Sequence, residues 1–293
     1  MTTRHVCPLC GSDRSVAYTS GPELLTDLGV ADEQGLRSAI LVCGTCEFVH
    51  SEPLSLDSLQ VLYNHLSEGD EYYAPDRPEF EFFGAHVSPG TRVLDWGCGS
   101  GNFSGTVSKA GGTYTGVDFA GPAIAAGREL GRNLLTTEEF ASVEGTFDMV
   151  VLNQVLEHLS DPIASLSALL GRVSEHGKIA VAVPNPASSV MWATGVPLEF
   201  PPHHLTRWHE SHLRSIGQRL GLQVVAYEAH SLSHEHAGLW VEGSLRRAMR
   251  RNNMVYRRRG FLQRVAVRGS KRASLRTLGR CAGLYHSMVF QRP

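Results

Sequence analysis

Thr91-Arg92-Val93-Leu94-Asp95-Trp96-Gly97-Cys98-Gly99-Ser100-Gly101 is the stretch whose reading decides the fold. Thr91 to Asp95 is a short apolar run that ends in an acid and enters three glycines at every second position. The following residues, Asn102 to Lys109, read as a helix. A strand, a glycine loop and a helix open a doubly wound α/β domain. Glycines let backbone approach a ligand closely, and the helix N-terminus offers free N–H groups. Outward from this unit, a second strand (Tyr114 to Val117) ends at Asp118, as the first ends at Asp95. An acid at that place suits the two hydroxyls of a ribose. Further strands are expected at Asn133 to Thr136, Leu222 to Tyr227 and Leu284 to Gln291. Glu210 to Leu220 reads as a helix.

The chain has 293 residues, 42% apolar and 19% charged. That is enough apolar material for a sizeable core, and it excludes a disordered chain and a multi-span membrane protein. No run of about 18 apolar residues exists, and Met1 to Cys10 lacks an apolar signal core. A cytoplasmic enzyme is the expectation. The formal net charge of −2 hides an asymmetry: residues 244–293 carry 13 Arg, one Lys and no acid, so they hold +14 against −16 for residues 1–243. Such a split implies an anionic partner, or docking of the basic segment on the acidic body.

Four of the six cysteines form two C-x-x-C pairs, Cys7/Cys10 and Cys43/Cys46. Two such knuckles give a closed four-thiolate site suited to structural zinc. The interval between the pairs has room for a strand, a short helix (Pro22 to Leu28) and a returning strand (Ala39 to Val42). Residues 1–52 are therefore read as a zinc ribbon. Residues 53–88 are read as a linker with cap helices, including Ser55 to Leu66, Tyr72, Tyr73 and the core-facing Phe80, Phe82 and Phe83. Residues 89–293 are read as the main domain.

The D-x-G-x-G-x-G pattern resembles the first motif of class I S-adenosylmethionine (SAM)-dependent methyltransferases, of the ubiquinone-biosynthesis type and Methyltransferase 23-like. Gly116-Val117-Asp118, Phe147 to Val151, Glu157 to Pro162 and Gly177 to Val183 resemble later motifs of that family. The resemblance implies a seven-stranded Rossmann-like sheet. It implies that Asp95, Gly97, Cys98, Gly99 and Gly101 face the methionine and ribose of SAM, with no chemistry at Cys98. Asp118 would hold the ribose diol, with Phe119 beside it, Glu138 or Glu139 near the adenine, and Asn153 beside the methionine.

Gln154, Glu157 and His158 are spaced i, i+3, i+4, so on a helix they would share one face. Pro201-Pro202-His203-His204-Leu205-Thr206-Arg207-Trp208 follows the fifth strand. This set is similar to small-RNA 2′-O-methyltransferases, in which two Glu and two His hold a divalent metal. Glu157, His158 and His204 match that pattern, while Gln154 replaces the first Glu. Two readings stay open: a divalent ion such as Mg2+ on Gln154, Glu157, His158 and His204, or metal-free catalysis with His158, His203 or His204 as base beside Glu157. Trp192, Phe200 and Trp208 would wall the acceptor pocket.

The basic segment reads as a helical insertion, 231–280, between strands six and seven, with Arg257-Arg258-Arg259 its densest run. It would bind an anionic acceptor such as a nucleotide-sugar, contact anionic lipid to reach a glycolipid, grip RNA, or dock on the acidic body. Oligomeric state is not legible. The expected function is O-methylation of a sugar or another small biosynthetic intermediate. The alternatives are RNA ribose 2′-O-methylation, sugar C-methylation, and a SAM-binding scaffold without turnover.

Overall fold

The computed structural model describes residues 5–18, 39–52, 76–188, 201–231 and 282–293. The expected helices at Pro22 to Leu28 and Ser55 to Leu66, the residues Tyr72, Tyr73, Trp192 and Phe200, and nearly all of the basic insertion lie outside them.

The large sheet starts from the quoted stretch. Strand β4 (Arg92–Trp96) is followed by α2 (Ser104–Lys109), β5 (Thr113–Asp118), α3 (Gly121–Glu129), β6 (Leu134–Thr136) and α4 (Thr137–Phe140). The chain then returns to the other side of β4 through β7 (Phe147–Asn153), α5 (Pro162–Leu170) and β8 (Val173–Pro184). After α6 (Glu210–Arg219), β10 (Gln223–Ser231) and β11 (Ala282–Gln291) finish the sheet in the order β10-β11-β8-β7-β4-β5-β6. β4 to β8 pair in parallel, while β11 runs antiparallel between β8 and β10. The strand order reverses at β4, so the crevice beyond its C-terminal end is where an open α/β sheet binds ligands.

The strands are apolar runs because both faces of the sheet are covered. Val93, Met149, Val151 and Val289 point to one layer, where Phe80 and Phe83 of α1 (Pro78–Gly84) pack with Phe103. Leu94, Val150, Leu152 and Phe290 point to the other, against Leu213 and Ile216 of α6. β8, β10 and β11 run longer than expected, because they pair along most of their length. Asp161 caps α5 by accepting from the Ala164 N–H at 2.9 Å, with Pro162 at the first turn.

Helix α3 seats the glycine loop. A Cβ on Gly127 would lie 2.4 Å from the Ser100 carbonyl oxygen and 2.2 Å from Leu134 Cδ1. The contact with backbone cannot yield without moving the loop. Gly127→Ala is expected to cost about 1–3 kcal/mol and to weaken SAM binding, read by thermal melting with and without SAM.

The small sheet holds the cysteines. β1 (Ser15–Tyr18), β2 (Ile40–Cys43) and β3 (Val49–Ser51) form an antiparallel meander. Its fourth strand, β9 (Thr206–Arg207), comes from the segment after β8: Val49 pairs with Arg207 and His50 with Thr206. Sequence reading did not foresee this strand, which is too short to carry any alternation.

Candidate cofactor and acceptor site

The glycine loop turns sharply after β4. Gly97, Gly99 and Gly101 all have positive φ, at 76°, 55° and 79°. The Val117 carbonyl accepts from both Gly97 N–H and Cys98 N–H, at 2.7 and 3.1 Å. A Cβ on Gly97 would stand 2.4 Å from Val155, so the loop is tight as well as left-handed there. Arg132 locks the far side, donating to the Ser100 carbonyl at 2.6 Å and to Asn102 Oδ1 at 2.8 Å.

Two buried acids sit at the C-terminal ends of β4 and β5. Asp118 accepts from Gly99 N–H and Ala120 N–H, each at 2.8 Å, and so ties the glycine loop to the next turn. Burial raises its pKa against those bonds. Asp95 is 3% exposed. One oxygen accepts from Tyr114 Oη at 2.7 Å, and the other has no hydrogen-bond partner among the described residues. Burial pushes Asp95 up to about 7, opposed by the Tyr114 bond and helped by the Asp118 charge.

Two more buried acceptor oxygens lack hydrogen-bond partners among the described residues, Asn153 Oδ1 at the end of β7 and Glu79 Oε2 on α1. Unpaired buried acceptors are costly, and acceptors alone call for a donor-rich cation. The ammonium of a bound methionine moiety is such a cation, so Asp95 and Asn153 fit SAM.

The other residues expected to bind SAM are placed as follows. Phe119 is 41% exposed beside Asp118. Glu139 closes a capping box with Thr136 and pairs with Arg128, while Glu138 is fully exposed and accepts from Thr137 Oγ1. Burial holds the Cys98 thiol protonated. Sequence reading missed Tyr114, Arg132 and Glu79. Tyr114 was findable, since it shares with Gly116 and Asp118 the same face of β5 at period two.

The acceptor-side residues differ from the expected helix face. Gln154 has φ 57°, and its Nε2 donates to Glu79 Oε1 at 3.1 Å. Only the short 3-10 turn Leu156–His158 follows. Helical spacing does not apply to such a turn, and Gln154 is drawn toward α1. In its place His203 joins the cluster: His158, His203 and His204 have potential ligand atoms within 4.8 Å of one another. Glu157, 1% exposed, places Oε1 3.8 Å from His158 Nε2 and 3.9 Å from His204 Nε2. His158 Nδ1 bonds the His203 carbonyl at 2.7 Å. A carbonyl only accepts, so Nδ1 carries the hydrogen and Nε2 keeps its lone pair. Burial, with the His204 charge, pushes the His158 pKa down to about 3. Trp208 is fully buried, so it supports this segment from beneath.

The four ribbon cysteines also converge. Cys7 and Cys46 Sγ lie 3.8 Å apart, Cys10 and Cys43 Sγ 3.6 Å. Four sulfurs about 2.3 Å from one zinc stand about 3.8 Å apart, so the set fits a tetrahedral ion. Gly11 closes the first knuckle at φ 75°, and Glu47 closes the second at φ 60°.

A seven-stranded, mostly parallel sheet whose last strand is inserted antiparallel, with acids at the C-terminal ends of its first two parallel strands and a glycine loop between them, defines the class I SAM-dependent methyltransferase fold. The Methyltransferase domain model, Methyltransf_23, matches residues 67–227, and the chain belongs to that family. It is 28% identical over 159 residues to the ubiquinone biosynthesis O-methyltransferase of Xanthomonas axonopodis pv. citri (strain 306), over 48% of this chain and 65% of that protein. It is 37% identical over 120 residues to the ribosomal protein L11 methyltransferase of Ralstonia pickettii (strain 12J), over 39% of each. The chain thus spans less than two thirds of the length of these relatives. Among solved structures it is similar to the [4+2]-cyclase SpnF (TM-score 0.52, 15% identity, 83% of this chain and 98% of that one). It is also similar to a chain from the complex of the Haloferax volcanii Trm112 methyltransferase activator (TM-score 0.54, 17% identity, 82% and 98%). These likenesses show the fold alone.

Proposed function

We propose that the chain transfers the methyl group of SAM to a hydroxyl oxygen of a small biosynthetic intermediate, and that Cys7, Cys10, Cys43 and Cys46 hold a structural zinc. One observation carries the reading. Acceptor oxygens at the ends of β4 and β7 that are unpaired among the described residues mark a cation site, and the imidazole–carboxylate cluster begins just past Asn153, at Glu157. The similarity to ubiquinone biosynthesis O-methyltransferases supports oxygen as the acceptor atom.

SAM, when bound, supplies a methyl group already activated on a sulfonium. Asp95 and Asn153 would orient its ammonium, and Asp118 and the glycine loop would hold the ribose. The histidine cluster would take the proton that the acceptor hydroxyl gives up on methylation. Glu157 stabilises the imidazolium that forms, as a buried carboxylate does for a catalytic histidine.

A second reading is favoured by the convergence of three imidazoles and Glu157. The lone pair of His158 Nε2, on the side of Glu157 Oε1, suits a bound cation, and these donors suit zinc, manganese or iron better than Mg2+. Such an ion would lower the pKa of a hydroxyl bound to it.

The 13 arginines after residue 243 support an anionic acceptor. No helix of the described residues is long and apolar enough to cross a membrane. The test is methyl-labelled SAM with nucleotide-sugars, phenolic acids, glycolipid vesicles and short RNAs, with and without chelator. Label recovered as a methyl ether on a small acceptor is expected. Label on RNA alone, or on none of the panel while SAM binds, would move the function to RNA or to a scaffold role. Loss on chelation with two metals per chain selects the second reading.

A further inference from the structure

The segment that carries His203 and His204 is gripped from both sides, and one side is the cysteine module. On the catalytic side, Leu205 N–H donates to the Glu157 carbonyl at 2.8 Å, and Thr206 Oγ1 bonds the Leu156 carbonyl at 3.3 Å. His286 Nε2 bonds the Trp208 carbonyl at 2.9 Å. On the other side, β9 is an edge strand of the cysteine sheet, paired with β3, which begins at Val49 just past Cys46.

Side chains continue the grip. Phe48 is fully buried and packs edge-on against Trp208 at 4.7 Å and His212 at 5.2 Å between ring centres. His212 Nδ1 accepts from His209 N–H, so its Nε2 carries the hydrogen and donates to the Cys46 carbonyl at 3.0 Å. Arg219 donates to the Leu9 carbonyl at 2.5 Å, inside the first knuckle. Both knuckles are therefore bonded directly to α6. An appended binding module would not share a strand and a core with the catalytic segment.

We propose that the four-cysteine module is the buttress of the acceptor-side histidines: metal in the module fixes β3, and through Phe48 and His212 it holds the 203–208 segment in register on Glu157. Phe48 and His212 are positioning residues. The role given to His203 and His204 in transfer rests on the function proposed above, whereas the mechanical linkage does not. The coupling is reciprocal, as any linkage between two sites is. Loss of the contacts from α6 also loosens the metal. The glycine loop and the two acids at β4 and β5 lie on other strands and are not part of the grip.

The experiment uses the full chain and four readouts: metal retention against a chromophoric zinc chelator, amide exchange at Leu205, SAM binding by calorimetry, and methyl transfer. Removing the metal with chelator is expected to abolish protection of the Leu205 amide and to leave SAM affinity within about twofold. Transfer falls about 10–100-fold, the range seen when groups that orient a site are lost. Zinc restores both. Phe48→Ala and His212→Ala reproduce the loss of protection and release zinc faster. His212→Gln, which keeps an N–H donor toward the Cys46 carbonyl, restores both. If Phe48→Ala fails to fold, the His212 pair carries the test alone. Metal-free protein with full Leu205 protection, or His212→Ala with unchanged zinc retention and protection, overturns the buttress. Loss of protection together with undiminished transfer in His203→Ala and His204→Ala keeps the buttress and removes the catalytic role of those histidines.

Discussion

Asp95→Asn weakens SAM binding by about 10–100-fold, the worth of one charge-assisted hydrogen bond, and raises the stability of the unliganded protein at pH 8. The opposite signs follow from one geometry. Asp95 is buried with one oxygen unpaired among the described residues, and its folded pKa of about 7 lies above the ordinary 3.8. Between those values the unfolded chain has lost a proton that the folded chain keeps. Stability therefore falls as pH rises from 4 to 7, by an amount on the order of 4 kcal/mol. The asparagine variant loses that slope. A cationic ligand selects the ionised carboxylate, so the affinity of the native protein for SAM declines as pH falls below 7, by up to about tenfold per pH unit. The variant's affinity stays flat. Calorimetry and melting at pH 6, 7 and 8 read both effects, and parallel slopes in the two proteins would remove Asp95 from the cation site.

The second large effect is confined to transfer. Glu157→Gln and His204→Ala each lower the single-turnover rate by about 10²–10⁴-fold, the usual worth of acid–base assistance, with SAM affinity within about twofold. Glu157→Gln keeps the shape of a side chain that is 1% exposed and deletes the charge facing two imidazoles. His158 has its pKa near 3 and is neutral throughout the range from pH 5 to 9. An acid limb of the rate near pH 6 would therefore not report His158. Equal losses of transfer and of SAM affinity would mean that these residues build the cofactor pocket instead.

The elements that pair locally in the large sheet were legible. An apolar strand, glycines at alternate positions and an acid closing the next strand fix the start of the sheet, whereas Tyr114, on the same face of β5 as Asp118, was missed. The acceptor side was less so. Gln154, Glu157 and His158 have helical spacing, but the chain leaves β7 through a left-handed residue and makes one short turn, so spacing misassigned the neighbours. His203 entered the cluster with His204, because the segment folds back over Glu157. Four cysteines announced a metal module, yet its fourth strand lies far along the chain, beyond β8, at Thr206–Arg207. Pairing across that distance, carried by so short a strand, leaves no local periodicity to read.

The central claim is a division of labour: the ends of β4 and β5 bind the cofactor, and the Glu157–histidine cluster serves the acceptor. Calorimetric titration of SAM into the native protein, Asp118→Ala and His204→Ala tests it most directly. The account predicts one site in the native protein, binding weakened at least about 100-fold in Asp118→Ala, and native affinity in His204→Ala. Native affinity in Asp118→Ala, or equal loss in both variants, would contradict it.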